Sequence, residues 1–270
     1  MPDAEQVRTV APIEIIFLGT GTSHGVPMIG CDCPVCRSDD PRDRRYRTSL
    51  ALRRLDDGRI VLIDTPPELR LAVIAHDVRR VDAVLLTHAH ADHILGLDDL
   101  RRFNYLGQRQ IPCYGDAATM ERVGSIFPYA LVPYEVKRSD RPSISLNPLE
   151  PGRPFEACGL EIQPIPLMHG RMSVLGFRAG GLAYCTDCSA IPDGSWPLLE
   201  GLDLLVLDAL RRTPHPTHFN LEQALAVVAR LRPRRTLFTH ITHELSHAQT
   251  SAALPGGVAL AYDGQRVRIE

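Results

Sequence analysis

The sequence lacks any apolar run long enough to span a bilayer. It lacks an excess of charge of either sign: 30 Lys and Arg face 32 Asp and Glu, for a formal net charge of -2. No global basic field therefore draws the molecule to nucleic acid or to an anionic membrane. There is no internal repeat, no low-complexity tract and no linker long enough to separate domains, so one domain over residues 1–270 is expected. Met1 to Ala11 carries Asp and Glu and no long apolar segment, which predicts no signal peptide and a cytoplasmic location. An even cysteine count is lacking too. The 7 Cys are an odd number, and Cys31, Cys33 and Cys36 crowd together, which is unlike a stapled secreted scaffold.

What is present is 44% hydrophobic residues, enough for a substantial core, and 11 His placed mostly near Gly-rich turns or strand ends. The pattern predicts strands over 14–18, 49–55, 59–63, 81–86, 111–114, 160–165, 173–179, 182–186, 204–207, 236–239, 258–262 and 267–269. Asp56-Asp57-Gly58 is the turn of a hairpin. Helices are predicted over 68–75, 94–103, 117–126 and 221–231, the last capped by Asn220. The Pro-rich stretch 127–154 reads as an insertion, loop or lid. Strands in clusters with helices between and after them point to two mixed sheets packed face to face with helices outside.

The densest chemistry is Thr87-His88-Ala89-His90-Ala91-Asp92-His93, directly after the apolar run Val81 to Leu86. Neutral imidazole and carboxylate bind zinc, manganese or iron, and donors at the mouth of a rigid strand are held at fixed separations. So many donors followed by helix-forming residues, without HExxH, point to a two-metal hydrolytic centre. His169, Asp187 and His240 stand alone, each at the end of a predicted strand, and are the further candidate donors. Cys31, Cys33 and Cys36 offer three thiolates at CxCxxC spacing. His243, three residues beyond His240, is the natural fourth ligand of a closed tetrahedral zinc. A redox trio or three ordinary thiols are the alternatives.

HxHxDH at His88 to His93, then Met168-His169-Gly170, Asp187 in Thr186-Asp187-Cys188, and His240 in Phe238-Thr239-His240 follow a known order. On these residues the chain resembles the metallo-β-lactamase fold superfamily over almost its whole length. The resemblance implies an α/β fold, a four-layer αββα sandwich of two mixed sheets. It also implies that His88, His90 and His169 hold one divalent ion, that Asp92, His93 and His240 hold a second, and that Asp187 bridges them. Ions about 3.5–4 Å apart repel, and a bridging carboxylate with a hydroxide lessens the repulsion. Asp64, after an early strand, corresponds to the family's aspartate that fixes a ligand histidine's tautomer.

Phe17 to Pro27 followed by CxCxxC is similar to one branch of that superfamily, the one that includes the phosphoribosyl cyclic phosphate phosphodiesterases. Cys31, Cys33, Cys36 and His243 match that branch's structural zinc site. The branch implies two active-site ions (Zn or Mn), one structural Zn and hydrolysis of a small cyclic phosphodiester by a metal-bridging hydroxide. His218, in Pro214 to Asn220, matches its proton donor to the leaving oxygen better than His215 does; His218 and Asp92 are the catalytic candidates. A homodimer is implied by family analogy alone, and the substrate is expected to be small, with neither nucleic acid nor membrane as partner. The competing readings are a ribonuclease Z-like endonuclease, a thioester or lactone hydrolase, and a non-hydrolytic protein of quinone-cofactor assembly. His24 in the Gly loop and the run Arg44, Arg45, Arg47 could face substrate. Cys185 and Cys188, around Asp187, read as small buried residues, and His76 and His247 as surface or core histidines.

Overall fold

The computed structural model describes residues 12–135 and 140–270. The signal-peptide reading of Met1 to Ala11 lies outside the described residues, as do positions 136–139 of the expected insertion. Strands β1 (Ile13–Gly19), β2 (Ser49–Arg54), β3 (Ile60–Ile63), β4 (Ala83–Leu85), β5 (Ile111–Asp116) and β6 (Ile144–Leu149) build one sheet. Strands β7 (Phe155–Ala157), β8 (Leu160–His169), β9 (Met172–Ala179), β10 (Leu182–Cys185), β11 (Leu204–Asp208), β12 (Arg235–Thr239) and β13 (Val258–Leu260) build the other. Strand β14 (Arg266–Ile269) returns to the first sheet beside β1. The orders are β14-β1-β2-β3-β4-β5-β6 and β13-β12-β11-β10-β9-β8-β7.

Each sheet is mixed in the same way. Pairing is antiparallel from β14 to β3 and parallel from β3 to β6; it is antiparallel from β7 to β10 and parallel from β10 to β13. Strand periodicity divides the side chains between two faces. In β1, Ile13, Ile15 and Phe17 face the second sheet and pack with Phe177, Tyr184 and Val206, while Ile16 and Leu18 pack on the outer helices. Helices α1 (Leu69–Ala75), α2 (Ala91–Ile94), α3 (Leu100–Gly107) and α4 (Ala117–Ile126) belong to the first half of the chain, α5 (Leu221–Leu231) and α6 (His247–Ala253) to the second. Leu69, Phe103 and Val123 cover the first sheet; Ala224 and Val227 cover the second. The result is the four-layer αββα sandwich expected from the sequence. Asn220 caps α5 as expected, in a full capping box with Gln223.

Three local expectations need correction. The predicted helix 94–103 is three pieces: α2, a 3-10 segment Leu95–Asp99, and α3. Gly96 donates its N–H to Thr65 O at 2.8 Å, and a Cβ there would stand 2.1 Å from Pro66 O. The chain must bend around that contact, so a straight helix does not fit. The stretch 127–154 is not simply a lid. It supplies β6, which pairs with β5 at the sheet edge, where Pro148 is tolerated because the outer side has no strand to bond. Asn104 holds it there, accepting from Ser143 N at 3.0 Å and donating to Ser143 O at 2.8 Å. Finally β8 runs on past Ile165 to His169. Beyond Ile162 it has no paired β7 residue, so Pro164 and Pro166 remove no ladder bond on that side.

Candidate metal centre

The candidate donors collect where β3, β4, β8, β10 and β12 end, at one rim of the sandwich. Asp64, Asp187 and His240, just past β3, β10 and β12, have φ of 61°, 49° and 58°. Left-handed backbone is rare for such residues and costs on the order of 1 kcal/mol or more each, so the surrounding packing must impose it. A backbone hydrogen bond from Leu175 N to Thr87 O, 2.9 Å, ties the two sheets together beside the histidine motif.

Three overlapping groups of donor atoms form here, one of them Asp187, His218 and His240. His88, His90, His169 and Asp187 lie within 4.8 Å of one another, and so do Asp92, His93 and His240. Asp187 stands between the groups. Its Oδ2 is 3.8 Å from His88 Nε2, while its Oδ1 is 3.3 Å from His93 Nε2 and 3.2 Å from His240 Nε2. Asp92 Oδ2 is 3.5 Å from His93 Nε2 and 3.9 Å from His240 Nε2. The seven residues named from the sequence are thus brought to one place.

The far sides of the rings are tied down. His93 Nδ1 meets Asp64 Oδ2 at 2.7 Å, and Thr87 holds the Asp64 carboxylate with its N–H and hydroxyl, both at 2.9 Å. His169 Nδ1 donates to Thr217 O at 2.7 Å. A carbonyl can only accept, so the proton of neutral His169 sits on Nδ1 and the lone pair on Nε2. Burial pushes His88 well down and His169 down to about 4, which keeps both rings neutral as metal binding requires. Burial opposes ionisation of Asp187, but His240 and His93 outweigh it and hold its carboxyl well below the usual range. Against the cost of burial, Asp187 and Asp64 raise His93. The acids of this pocket therefore call for positive charge. Among the described residues the Nε2 atoms of His93 and His240 are buried without a hydrogen-bond partner, although each lies close to Asp187. Buried ring nitrogens with unshared lone pairs beside carboxylates are what divalent cations would bind, so the residues fit that group.

His218 lies on the same rim. Its ring stacks on His240 (centroids 4.7 Å, 14°) and meets His169 edge-on at 4.6 Å. Its Nδ1 is 2.7 Å from Asp208 Oδ2, which also accepts the Cys188 N–H at 2.9 Å. Among the described residues this leaves His218 Nε2 without a hydrogen bond, and His218, Asp187 and His240 bring ligand atoms within 4.8 Å of one another. Asp208, the fully buried last residue of β11, is the functional candidate that the sequence reading missed. Asp64 was named from the resemblance, as an aspartate after an early strand; Leu204 to Asp208 also closes an apolar strand with a carboxylate, and that local pattern could have found Asp208. Cys185 and Cys188 are buried, and burial pushes the Cys185 thiol up to about 12, so they are small interior residues as read. His24 is exposed in its loop. His247 is buried and His76 half-buried.

Nearby, Cys31, Cys33 and Cys36 Sγ stand 3.2, 3.3 and 3.6 Å from His243 Nδ1. Tetrahedral zinc with bonds near 2.3 Å to sulfur and 2.0–2.1 Å to nitrogen implies a separation of roughly 3.6 Å, so these four also fit their ion. The Cys36 N–H, 3.4 Å from Cys33 Sγ, helps bring that thiol down to about 6. The basic run is mostly spoken for. Arg45 is buried and donates to Thr242 O, Leu245 O and Asp43, clamping the segment that carries His240 and His243. Arg47 pairs with Glu68 and Ser23 O, and Arg44 is exposed.

Comparison with known proteins gives the same picture. A family model described as the beta-lactamase superfamily domain matches residues 59–241. A solved structure described as a new diphosphatase from the PhnP family superimposes with TM-score 0.89 at 39% identity, covering 97% of this chain and 98% of the other. A coenzyme PQQ synthesis protein B from Rhodopseudomonas palustris is 32% identical over 231 residues, 73% of each chain. An octanoyltransferase from Porphyromonas gingivalis is 35% identical over 259 residues; the alignment takes in 94% of this chain, which spans about half (51%) of that relative's length. A family model over two thirds of the chain and a superposition over nearly all of it settle the family: the chain belongs to the metallo-β-lactamase fold superfamily.

Proposed function

We propose that this protein is a binuclear metal-dependent phosphodiesterase acting on a small cyclic phosphodiester of the phosphoribosyl type. The carrying observation is the Asp208–His218 pair, whose imidazole stacks on His240 and meets His169 edge-on. A buried aspartate holding one side of an imidazole fixes its tautomer and stabilises the charged ring. The other side can then pass a proton in the transition state. Cleavage of a phosphodiester releases a strongly basic alkoxide, and His218 Nε2–H would protonate that oxygen as the P–O bond breaks. His88, His90, His169, Asp187, Asp92, His93 and His240 would hold two divalent ions, zinc or manganese, and Cys31, Cys33, Cys36 and His243 a structural zinc. When bound, the paired ions supply Lewis acidity toward phosphoryl oxygens and a water acidic enough to attack near neutral pH. Asp92, with 13% of its side chain exposed against 3% for Asp187 and none for Asp64, is the carboxylate open to take a proton from attacking water.

A second reading has its own support. The PhnP-family structure at 39% identity is described as a diphosphatase, so the bond cleaved here could join two phosphates. The leaving group separates the two. Phosphate departs far more readily than alkoxide and needs less help from an acid. The metal-loaded protein should be assayed on a ribosyl cyclic phosphate, on bis-para-nitrophenyl phosphate, on a diphosphate diester and on an acyl thioester, with His218→Ala alongside. Loss on the cyclic phosphate with retention on the diphosphate supports the acid role. Turnover of the thioester alone, unaffected by His218→Ala, sinks the proposal.

A further inference from the structure

We propose that Arg171 and His215 form a second anion subsite on the rim of the metal centre, which grips a phosphate group of the substrate other than the one that reacts. The proposal deepens the phosphohydrolase reading and takes the reacting site from it. Arg171 occupies the tip of the two-residue turn Gly170-Arg171 between β8 and β9, where His169 pairs with Met172. It is therefore two residues from a candidate metal donor. The turn is seated firmly. Gly170 has φ +63°, and a Cβ there would be 2.9 Å from Thr217 Cγ2. Gly170 N donates to Ser189 Oγ at 2.9 Å, and His169 Nδ1 to Thr217 O at 2.7 Å. The β8–β9 turn and the loop bearing His215 and His218 are thus in contact.

Arg171 is exposed, and among the described residues its guanidinium has neither ion pair nor hydrogen bond. Three other arginines near this rim are committed: Arg45 to backbone carbonyls and Asp43, Arg47 to Glu68, Arg211 to Glu244 and the carbonyls of Thr213 and Pro214. His215 adds a directed donor. Its Nδ1 accepts from Thr217 N at 3.3 Å, so the neutral ring carries its proton on Nε2, and its centroid is 5.1 Å from that of His218. The charge of the reacting phosphate is met within the metal centre. A free planar fork and an N–H donor just outside it suit a second, unreacting phosphate monoester. Substrates with two phosphate groups would then be selected over simple diesters.

The test uses the full chain loaded with metal. Arg171→Ala should raise KM about 10- to 100-fold for a ribosyl cyclic phosphate that carries a 5-phosphate, the range expected for losing a charge-assisted pair. Turnover of bis-para-nitrophenyl phosphate, which has one phosphate, should stay within about twofold, and Arg171→Lys should recover much of the loss. Equal loss on both substrates, or on neither, overturns the proposal. A binding arm does not depend on turnover. Ribose 5-phosphate, but not ribose, should raise the melting temperature of the wild type and do so less for Arg171→Ala. The same shift in both proteins, or none in either, overturns the subsite. Selective loss of that shift in a protein that cleaves no phosphate ester would leave the subsite standing and remove the phosphohydrolase reading instead.

Discussion

At the scale of single residues, the centre depends on what lies behind each ring. His93 rests on Asp64, His169 on the Thr217 carbonyl, and His218 on Asp208. The first and last are carboxylates, and both are fully buried. Their neighbours differ: His93 turns its free nitrogen to Asp187 and Asp92, while His218 stands with Asp187 and His240 and stacks on the His240 ring. His218→Ala should lower kcat on an alkoxide-releasing substrate by about 10²- to 10⁴-fold, the usual range for a lost general acid. Ion content measured by elemental analysis should stay the same, and a fall in it would mean that His218 is a ligand. Asp208→Asn keeps the shape but not the charge, and should lower kcat about tenfold or more with KM little changed. Asp208 could have been named beforehand, since it ends its apolar strand as Asp64 does. Its partner could not, because nothing local joins position 208 to 218.

Among secondary-structure elements, the legible ones are those whose side chains alternate cleanly. β1, the hairpin of β2 and β3, and the capped α5 appear where the pattern places them. β6 and α6 were not legible, the first because Pro148 breaks the strand pattern, the second because His247–Ala253 offers almost no apolar stripe. The bend after α2 is a tertiary effect, set by Gly96 against Pro66. Gly96→Ala should therefore destabilise the fold by about 1–3 kcal/mol in denaturant unfolding, as overpacked positions do. The C-terminal turn carries another constraint. Asp263 accepts from Thr20 Oγ1 and Tyr46 N, joining β1's exit to the segment before β2, and burial raises its carboxyl to about 7. Its folded pKa is above the unfolded value, so the folded state binds the proton more tightly. That contribution is complete at acid pH and is lost as pH rises from about 4 to about 7, by no more than about 1.4 kcal/mol per pH unit. Asp263→Asn should abolish this dependence. Melting curves across pH 5–8 in which the two proteins run parallel would contradict it.

Over the whole molecule, two candidate ion sites share one short segment. His240 and His243 lie three residues apart, and Arg45 pins the stretch between and beyond them. Elemental analysis of undialysed protein should find three ions per chain by this account, two in the centre and one with the cysteines. Cys33→Ser should remove one ion and lower the melting temperature, while Asp187→Ala should deplete the centre and leave the cysteine site filled. A single ion in the wild type would overturn the binuclear account. Among the described residues no helix is long and apolar enough to cross a membrane.

The amino-acid sequence by itself determined the candidate donor set and its place at strand ends, because ligating chemistry is a matter of residue type and strand ends are marked by local pattern. It also determined the layered sandwich, through two-residue alternation that gives each sheet two apolar faces. Tertiary structure alone decided that Asp187 stands between the donor groups, that Asp208 backs His218, that Arg45 is buried and that Arg171 has no partner among the described residues. Hydrogen-bond pairing and charge neutralisation are made between residues far apart along the chain, so only the folded arrangement of β4, β8, β10 and β12 could choose the partners.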